Sequence, residues 1–425
     1  MPSTPETNIV LFVGLTPALL GPIQALKKKK GVNYRYAIIH DTKTPTPEQK
    51  EVLDVFDIEI KTNFSSRDTL TKSLQPYEHE LLAITSRSES NIPYFQKVIP
   101  HVPYLRTPTT ESLTWATEKL KMRQQLNSYD KNIGPAFMIV HDSAKKTIKE
   151  IEEKVGFPVV IKPTGLVRGL LVTAAYHHEE LEKELNRVFW KINKLHRDTN
   201  GRGEPSVLVE QLMDGEMYSV DAHVTSRGTI HFNPFVHVKT GRSIGFDDFF
   251  SYQQITPTRL NKQSVADAQE VTEKAIRALG LRSTTAHVEL LKTEDGWKVI
   301  EVGPRIGGFR HVMYNLSYGI DITENDIRTR IPRPITIPRT VKGHTALIKI
   351  YAPKEGVITK ITGAKKAQQL KSFHSISVHK QIGDRAYFAK NGGRDIFHVT
   401  FFNKDRPKLL ADIRRFEKMV EITTK

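Results

Sequence analysis

Two glutamates, Glu289 and Glu301, interrupt a stretch of sequence that otherwise predicts buried β-strands. The stretch HVELLKTEDGWKVIEVGPRIGG, residues 287–308, has a run of aliphatic residues on each side of an Asp-Gly pair, and this pattern predicts a hairpin. A carboxylate set in an apolar sheet is costly unless a positive charge meets it. These two acids are therefore the first candidates for chemistry in the chain.

The register of the hairpin decides what the two acids can do. If Asp295 and Gly296 form a two-residue turn, Glu289 faces Val302 and the acids point to opposite sides of the sheet. If residues 294–296 form a three-residue loop with Gly296 left-handed, Glu289 lies opposite Glu301 with the β-carbons about 5 Å apart. A divalent cation between them would remove the repulsion, and oxygen ligands favour Mg²⁺ or Mn²⁺. The alternatives are an unpaired edge position or neutralisation by nearby lysines.

The composition is that of a folded chain with several domains. Of its 425 residues 38% are hydrophobic and 26% are charged, which excludes a disordered protein. The absence of cysteine excludes disulfides and thiolate metal sites. No apolar run is long enough to span a membrane, and the start of the chain lacks the basic residues of a secretory signal. We therefore expect a cytoplasmic protein without membrane partners.

The chain is basic, and the excess is uneven. Lysine and arginine number 63 against 47 acidic residues, a formal net charge of +16. Residues 341–425 carry 18 of the basic residues and 7 of the acidic ones. The favoured interpretation is a basic, solvated domain. Nucleic acid is the less favoured partner for such a surface.

The order of predicted elements divides the chain into four parts. Strands and helices alternate over residues 1–112, which predicts a small parallel-sheet domain. Residues 113–205 contain helices and the strand FPVVIKP, and residues 206–335 contain the acidic hairpin. A basic, mostly β module follows a proline-rich break and covers residues 340–425. The stretch SLTWATEKLKMRQQLN predicts one helix with Ser112 as its N-cap.

The order of motifs from about residue 118 to residue 326 resembles the ATP-grasp superfamily. Within it, the resemblance is to carboxylate–amine ligases, in particular to the L-amino-acid (dipeptide) ligase branch. EKLKMR and FPVVIKP resemble the segments with the two nucleotide-binding lysines, and TGLVRG stands where the family has its glycine-rich phosphate loop. VLVEQLMDGE resembles the hinge that holds adenine and ribose, and HVELL with VIEVGPR resembles the acidic metal-binding pair followed by an arginine.

The resemblance implies a mixed α/β and α+β architecture. Residues 1–112 would form a preATP-grasp-like domain, residues 113–205 and 206–335 the two ATP-grasp lobes, and residues 340–425 a basic β-rich C-terminal domain. It also implies ATP and Mg²⁺ (or Mn²⁺) as cofactors. The residues implied to bind the nucleotide are Lys119, Lys162, Gly165, Gly169, Glu210, Gln211, Met213 and Glu216.

The same resemblance implies catalytic and substrate-binding residues. Glu289 and Glu301 would hold the metal, and Arg305 would hold the transferring phosphoryl group. Substrate contacts are expected from Lys239 and Arg242 in a long aromatic loop and from Arg310 and His311. The sequence departs from the family pattern at Gly303, where asparagine usually supplies a further metal ligand, so the number of metal ions, one or two, stays open.

The favoured function is an ATP-dependent ligase that joins a carboxylate to an amine through an acyl phosphate and releases ADP and phosphate. Amino acids are its favoured substrates. One alternative is a ligase for another small carboxylate or amine, or for a protein tail. The other is a nucleic-acid-associated, ATP-binding protein without ligase activity. The expected partners are small molecules, and a homodimer stays open.

Overall fold

A computed structural model of the chain describes residues 7–29, 31, 33–164, 170–198, 206–246 and 248–425. Among these residues no helix combines the length and the apolar character needed to cross a membrane.

The first part of the chain is a small α/β domain. Its elements are β1 (Ile9–Val13), α1 (Leu20–Lys27), β2 (Arg35–His40), α2 (Pro47–Leu53), β3 (Ile58–Lys61), α3 (Arg67–Leu74), β4 (Leu81–Thr85) and α4 (Ile92–Val98). The strands form a parallel sheet in the order β3-β2-β1-β4. Strand β1 is buried along its whole length, because apolar clusters cover both faces of the sheet. The predicted parallel sheet is confirmed.

Two helices connect this domain to the next, where the sequence predicted one. They are α5 (Thr110–Thr117) and α6 (Lys119–Tyr129). Glu118 between them has an extended backbone, with φ −95° and ψ 108°. The predicted N-cap at Ser112 is also wrong, because the Thr109 side chain accepts the capping hydrogen bond from the Ser112 amide. The break at Glu118 makes Lys119 the first residue of a helix.

The next part is an antiparallel sheet covered by two helices on one face. Its elements are β5 (Phe137–Val140), α7 (Lys145–Lys154), β6 (Val159–Pro163), β7 (Thr173–Ala175), α8 (His178–Asp198) and β8 (Val207–Gln211), and the strand order is β5-β8-β6-β7. The sequence division at residue 205 assigned the last strand to the following lobe. In the structure β8 lies inside this first sheet and pairs with β5 and β6.

A nine-stranded sheet dominates the remainder of the chain. Its first part comprises β9 (Glu216–Val224), β10 (Ile230–Phe232), β11 (Val236–Thr240), β12 (Ser251–Thr256), α9 (Lys262–Ala278), β13 (Thr284–Thr293), β14 (Gly296–Gly303), α10 (Arg310–Tyr318) and α11 (Ile322–Arg328). Helix α9 packs with α6 over one face of β13 and β14, in the apolar cluster that contains Met122, Ala275 and Val299. Helix α10 packs on the opposite face of the sheet, in the cluster of Val236, Met313 and Leu347. The acidic hairpin lies at one end of this sheet.

The C-terminal part extends the same sheet. Its elements are β15 (His344–Ile350), β16 (Gly356–Thr362), α12 (Ala364–Ala367), β17 (Phe373–Val378), β18 (Arg385–Ala386), β19 (Phe397–Asn403), α13 (Arg406–Met419) and β20 (Glu421–Thr424). The order of the large sheet is β14-β13-β9-β11-β12-β15-β19-β17, with β10 paired to β9. The boundary expected near residue 340 therefore does not separate two sheets. Strands β18, β16 and β20 form a smaller sheet beside it.

A buried carboxylate joins the N-terminal domain to the large sheet. Asp326 on α11 accepts hydrogen bonds from Thr85 at 2.7 Å and from Thr285 at 2.6 Å. It also pairs with Arg330 at 2.8 Å. Burial alone would raise the pKa of Asp326, but the Arg330 charge and the two hydroxyl groups outweigh burial and lower it. The carboxylate therefore stabilises the fold only while it is ionised.

We expect Asp326→Asn to lower the free energy of unfolding by about 3 kcal/mol at neutral pH, because it leaves Arg330 buried without its ionic partner. Urea denaturation measures this loss. Because the pKa of Asp326 is lower in the folded than in the unfolded chain, the contribution is present above about pH 4 and is lost as the pH falls through the folded-state value. The stability difference between wild type and variant should therefore shrink in acid.

The control is Asp295→Asn in the exposed turn of the hairpin, which should change stability by less than about 0.5 kcal/mol. Equal losses in the two variants, or a difference that does not change with pH, would show that the Asp326 carboxylate does not hold the two parts together.

Candidate active site

The two glutamates of the hairpin face each other, although the turn differs from the expected one. Thr293 pairs with Gly296, so the turn has two residues and the predicted three-residue loop is wrong. The predicted pairing of Glu289 with Glu301 is nevertheless confirmed. A β-bulge restores it, because Leu290 pairs with Val299 and the residue between Val299 and Glu301 has no opposite partner.

A buried arginine on α6 holds this bulge in place. Arg123, 2% exposed, donates to the carbonyl oxygen of the extra residue, Ile300, at 2.6 Å, and to that of Val299 at 3.4 Å. The same guanidinium pairs with Glu210 on β8, with 2.6 Å between Nε and Oε1. Arg123 thus ties the bulge that aligns the two glutamates to the neighbouring sheet. Sequence reasoning missed it, although it ends the EKLKMR motif.

Glu210 also binds the lysine of the preceding strand. Lys162 Nζ lies 2.6 Å from Glu210 Oε2, so one carboxylate joins a lysine and an arginine. Burial would raise the pKa of Glu210, but the charges of Arg123 and Lys162 lower it to about 2. The acid is therefore ionised throughout the physiological range. Its carboxylate positions Lys162, whose side chain is 17% exposed, at the surface between the two sheets.

The two carboxyls of the acidic pair have opposite pKa shifts. Burial would raise the pKa of Glu289, but the charges of His287, Arg305 and Arg310 outweigh burial and lower it. Burial raises the pKa of Glu301, and the negative charges of Glu89 and Glu289 raise it further, while Lys119 and Arg305 oppose them. There is also the repulsion that two facing carboxylates create, although the Glu289 side chain is 32% exposed to water. A bound divalent cation would resolve it, so the residues present fit a metal site with oxygen ligands.

A further acid, Asp221, contacts His287, which in turn lies close to Glu289. Burial would raise the pKa of Asp221, but the nearby His287 and Arg310 and the Gly307 amide lower it. His287 lies between the two acids, with its Nδ1 3.2 Å from Asp221 and its Nε2 3.6 Å from Glu289. The Gly307 amide donates to Asp221 at 2.6 Å, which holds the loop after the metal strand in place. Asp221 therefore orients both the histidine and the glycine pair.

The N-terminal domain completes the site. Arg305, predicted to hold a phosphoryl group, pairs with Glu89 of that domain at 2.8 Å. Arg87 donates to the carbonyl oxygens of Ile306 and Gly307 at 2.7 and 3.3 Å. Burial and the neighbouring Arg305 charge lower the pKa of Arg87 to about 10, so it stays protonated. Sequence reasoning missed both residues, because the segment that carries them was assigned only to a strand.

Known proteins resemble this chain in sequence and in fold. The sequence profile of the ATP-grasp domain matches residues 155–312, which include Lys162, the acidic pair and Arg305. An alanine–anticapsin ligase of Bacillus amyloliquefaciens is 26% identical over 257 residues, which are 57% of this chain and 52% of that protein. The chain therefore contains an ATP-grasp domain over residues 155–312. An uncharacterized protein, y4rH, of Sinorhizobium fredii is 23% identical over 309 residues, or 72% of this chain and 60% of that one.

Solved structures share the fold over almost the whole chain. The L-amino acid ligase of Bacillus licheniformis superposes with a TM-score of 0.76 over 99% of this chain and all of that one, at 16% identity. The N5-carboxyaminoimidazole synthetase of Staphylococcus aureus, complexed with ADP, has a TM-score of 0.69 over 97% of both chains, at 14% identity. The ATP-grasp architecture expected from the sequence is thus confirmed. The chain spans about half to three-fifths of the length of the curated relatives it matches.

Three of the residues expected to bind the nucleotide lie where the chain passes from β8 of the first sheet to β9 of the large sheet. Gln211, at the end of β8, is exposed, and its amide donates to the Ala136 carbonyl at 2.9 Å. Glu216 is exposed at the start of β9 and accepts a hydrogen bond from Tyr218 at 2.9 Å. Met213, half-buried, lies in the link between these strands. Their contacts with a nucleotide stay predictions.

The segment predicted to be the phosphate loop begins at Thr164, and its residues 165–169 lie outside the described residues. Gly165 and Gly169 both belong to this segment, so the structure does not bear on their predicted role. After the loop, the chain is held by the C-terminal part. The Leu171 amide donates to the Lys390 carbonyl at 3.0 Å, and Leu171 has a positive φ of 57°.

The residues predicted to contact the substrate fall into two groups. Lys239 is exposed on β11, and Arg242 bonds the Tyr176 hydroxyl and lies 5.1 Å from the Phe249 ring. Arg242 lies in the connection between β11 and β12, but Lys239 lies on β11, so the predicted long loop consists largely of two strands. Substrate contact stays a prediction for both residues.

The other two residues predicted to contact the substrate, Arg310 and His311, pack against other parts of the protein. Arg310 is 2% exposed and already donates to Gln254 and Ser219, each at 2.6 Å, so the structure makes it a buried support rather than an accessible contact. His311 faces the N-terminal domain, where a β-carbon on Gly21 would lie 3.9 Å from its Nε2. Burial and the Arg87 charge lower the pKa of His311 to about 4.

Gly303 leaves room at the position where asparagine is usual in the family. A β-carbon added there would lie 3.6 Å from the Arg305 guanidinium carbon, an ordinary contact distance. The space around position 303 would therefore accept a β-carbon without a steric clash. Its presence leaves the metal site with the two glutamates as the described carboxylate ligands.

We expect Arg123→Met to lower the free energy of unfolding by about 3–5 kcal/mol, because it removes the charge that Glu210 and the bulge carbonyls share. It should also weaken nucleotide binding, since Lys162 and the bulge both lose their support. Chemical denaturation and calorimetric titration with an ATP analogue measure the two effects. Lys121→Met, on the exposed side of the same helix, should change neither. A stable Arg123→Met variant with normal affinity would contradict this role.

Proposed function

We propose that this ATP-grasp protein is a ligase that joins the carboxylate of one small molecule to the amine of another. In the first step an oxygen of the substrate carboxylate attacks the γ-phosphorus of ATP, and the bond to ADP breaks. In the second, the amine nitrogen attacks the acyl carbon, phosphate leaves, and the amine gives up a proton. The observation that carries the proposal is the pairing of Glu289 with Glu301 near Arg305, in a hairpin that Arg123 and Glu210 connect to Lys162.

The acidic pair supports the use of Mg²⁺ or Mn²⁺ by this protein. Glu289 and Glu301 would hold the ion between their carboxylates, and its charge would offset the burial and the neighbouring negative charges that raise the pKa of Glu301. When bound, the ion supplies positive charge to the β- and γ-phosphates during transfer. Asp221 and His287 keep Glu289 oriented, so the metal site forms without rearrangement of the sheet.

The basic residues supply the remaining charge. Lys162 and Lys119 would contact phosphate oxygens as compact positive charges. Arg305, held by Glu89, would bind the transferring phosphoryl group and then the oxyanion of the tetrahedral intermediate. No side chain needs to act as a covalent nucleophile, because the phosphate activates the carboxylate.

Amino acids are the proposed substrates. The support is the relationship to an alanine–anticapsin ligase, together with the fold shared with an L-amino acid ligase. At 26% and 16% identity these proteins indicate a substrate class and do not name the two amino acids.

We expect Glu289→Gln and Glu301→Gln each to lower turnover at least about 100-fold, because each removes half of the charge that holds the cation. The assay incubates the protein with ATP, Mg²⁺ and a pool of amino acids and follows phosphate release and new masses in the mixture. Glu294→Gln, in the exposed turn of the same hairpin, is the matched control and should keep wild-type activity. Near-normal ADP production in both active-site variants would refute the metal assignment.

Arg305→Ala should lower kcat by about 100-fold or more while changing nucleotide affinity much less, because the guanidinium acts mainly on charge that develops during transfer. Steady-state kinetics with a fluorescent nucleotide competition assay separates the two effects. Unchanged kcat, or a loss confined to affinity, would exclude the phosphoryl role. If wild-type protein forms ADP only when an amine other than an amino acid is present, the ligase proposal stands and the substrate class is wrong.

A further inference from the structure

Three side chains of the types that bind transition metals meet in the C-terminal part, away from the acidic hairpin. His379 Nδ1 and His398 Nδ1 lie 3.0 and 2.9 Å from the same oxygen, Oδ2 of Asp395. The three side chains are largely buried, at 17%, 12% and 11% exposure. One ligand atom from each lies within 4.8 Å of those from the other two.

The backbone brings these residues together at a fixed point of the sheet. His379 directly follows β17, and the amides of His379 and Lys380 both donate to the Ile396 carbonyl, at 2.8 and 3.1 Å. The Ile396 amide donates to the Ile350 carbonyl at 2.7 Å, which anchors the same segment to β15. Asp395 lies just before this anchor and His398 just after it. The cluster therefore rests on hydrogen-bonded sheet backbone and not on a free loop.

The hydrogen bonding of the cluster is incomplete. His398 Nδ1 makes a hydrogen bond to Asp395, but the buried Nδ1 of His379 has no partner of acceptable hydrogen-bond geometry, although it lies 3.0 Å from the same oxygen. Buried polar atoms normally have partners, and an unpaired one is a common sign of an ion. Ligands at about 2.0–2.2 Å from a tetrahedral ion lie about 3.3 Å from one another, close to the separations found here.

We propose that His379, Asp395 and His398 bind one divalent transition-metal ion of the zinc type. Two imidazole nitrogens and one carboxylate oxygen match the ligands that Zn²⁺ prefers, whereas Mg²⁺ prefers oxygen alone. Three protein ligands leave a fourth position for water. The two metal sites of the chain would thus select different ions, Mg²⁺ or Mn²⁺ at the hairpin and Zn²⁺ here.

The residues around the three side chains are expected to weaken zinc binding. They also connect the proposed zinc site to the proposed ligase site. Lys349 is the cross-strand partner of His398, and its charge opposes a cation, so we expect weaker binding than at sites with thiolate ligands. The Phe309 ring packs against His398, with 4.8 Å between centroids, and Lys349 lies 5.1 Å from the same ring. Phe309 directly precedes α10, which follows the Arg305 loop. An ion at His398 would therefore fix a neighbour of the phosphoryl-transfer site.

Equilibrium dialysis against Zn²⁺ in a large excess of Mg²⁺, followed by elemental analysis, tests the proposal with the full-length protein. Wild type should retain one zinc ion per chain. His379→Asn and His398→Asn should each weaken zinc binding by at least about 100-fold, more than the loss of an outer-shell partner causes. His374→Asn is the matched control, because His374 is exposed on β17, the same strand that ends before His379.

Two further measurements test the zinc site without relying on the histidine variants. Crystals of wild-type protein soaked in Zn²⁺ should show anomalous scattering between the two Nδ1 atoms, a readout that requires no variant to fold. Glu289→Gln combined with Glu301→Gln should leave zinc binding intact. The proposal is overturned if wild type retains no zinc, if the histidine variants bind it as well as wild type does, or if only the double glutamate variant loses it.

Discussion

The repulsion between two glutamates held face to face is the constraint on which the rest of the site depends. Glu289 and Glu301 are paired in the sheet, and their pairing depends on one extra residue in β14. Without that bulge the two-residue turn would offset the strands by one residue, and the acids would occupy opposite faces. The buried Arg123 donates a hydrogen bond to the carbonyl oxygen of the extra residue, Ile300, and so stabilises the bulge.

The ion pairs around Arg123 join elements that are far apart in the sequence. Through Glu210 the same arginine reaches Lys162, so β14 and β6 are connected by one network of charged side chains. Such a network is rigid because every member loses its partner if one moves. Among the described residues no strand of one sheet pairs with a strand of the other, so these ion pairs connect the two sheets.

The N-terminal domain and the C-terminal strands both make contacts with the region that matches the ATP-grasp domain. The N-terminal domain contributes Arg87 and Glu89 to the loop that follows the metal strand, and Asp326 fastens that domain to the large sheet. The C-terminal strands continue the sheet beyond β12, and the Lys390 carbonyl holds the chain just after the phosphate loop. The region matched by the ATP-grasp profile, residues 155–312, is thus only part of the site.

By itself the sequence determined the fold class and, through the family resemblance, the order of the motifs, because periodicity and residue type depend on local chemistry. It did not determine the hairpin turn, the break before Lys119 or the burial of Arg310, each of which departs from what local propensity favours. The bulge, the partners of Arg123 and the contributions of Arg87 and Glu89 were decided by tertiary structure alone. Their bonds join residues more than 80 positions apart, and the energy of such contacts exists only once the chain has folded.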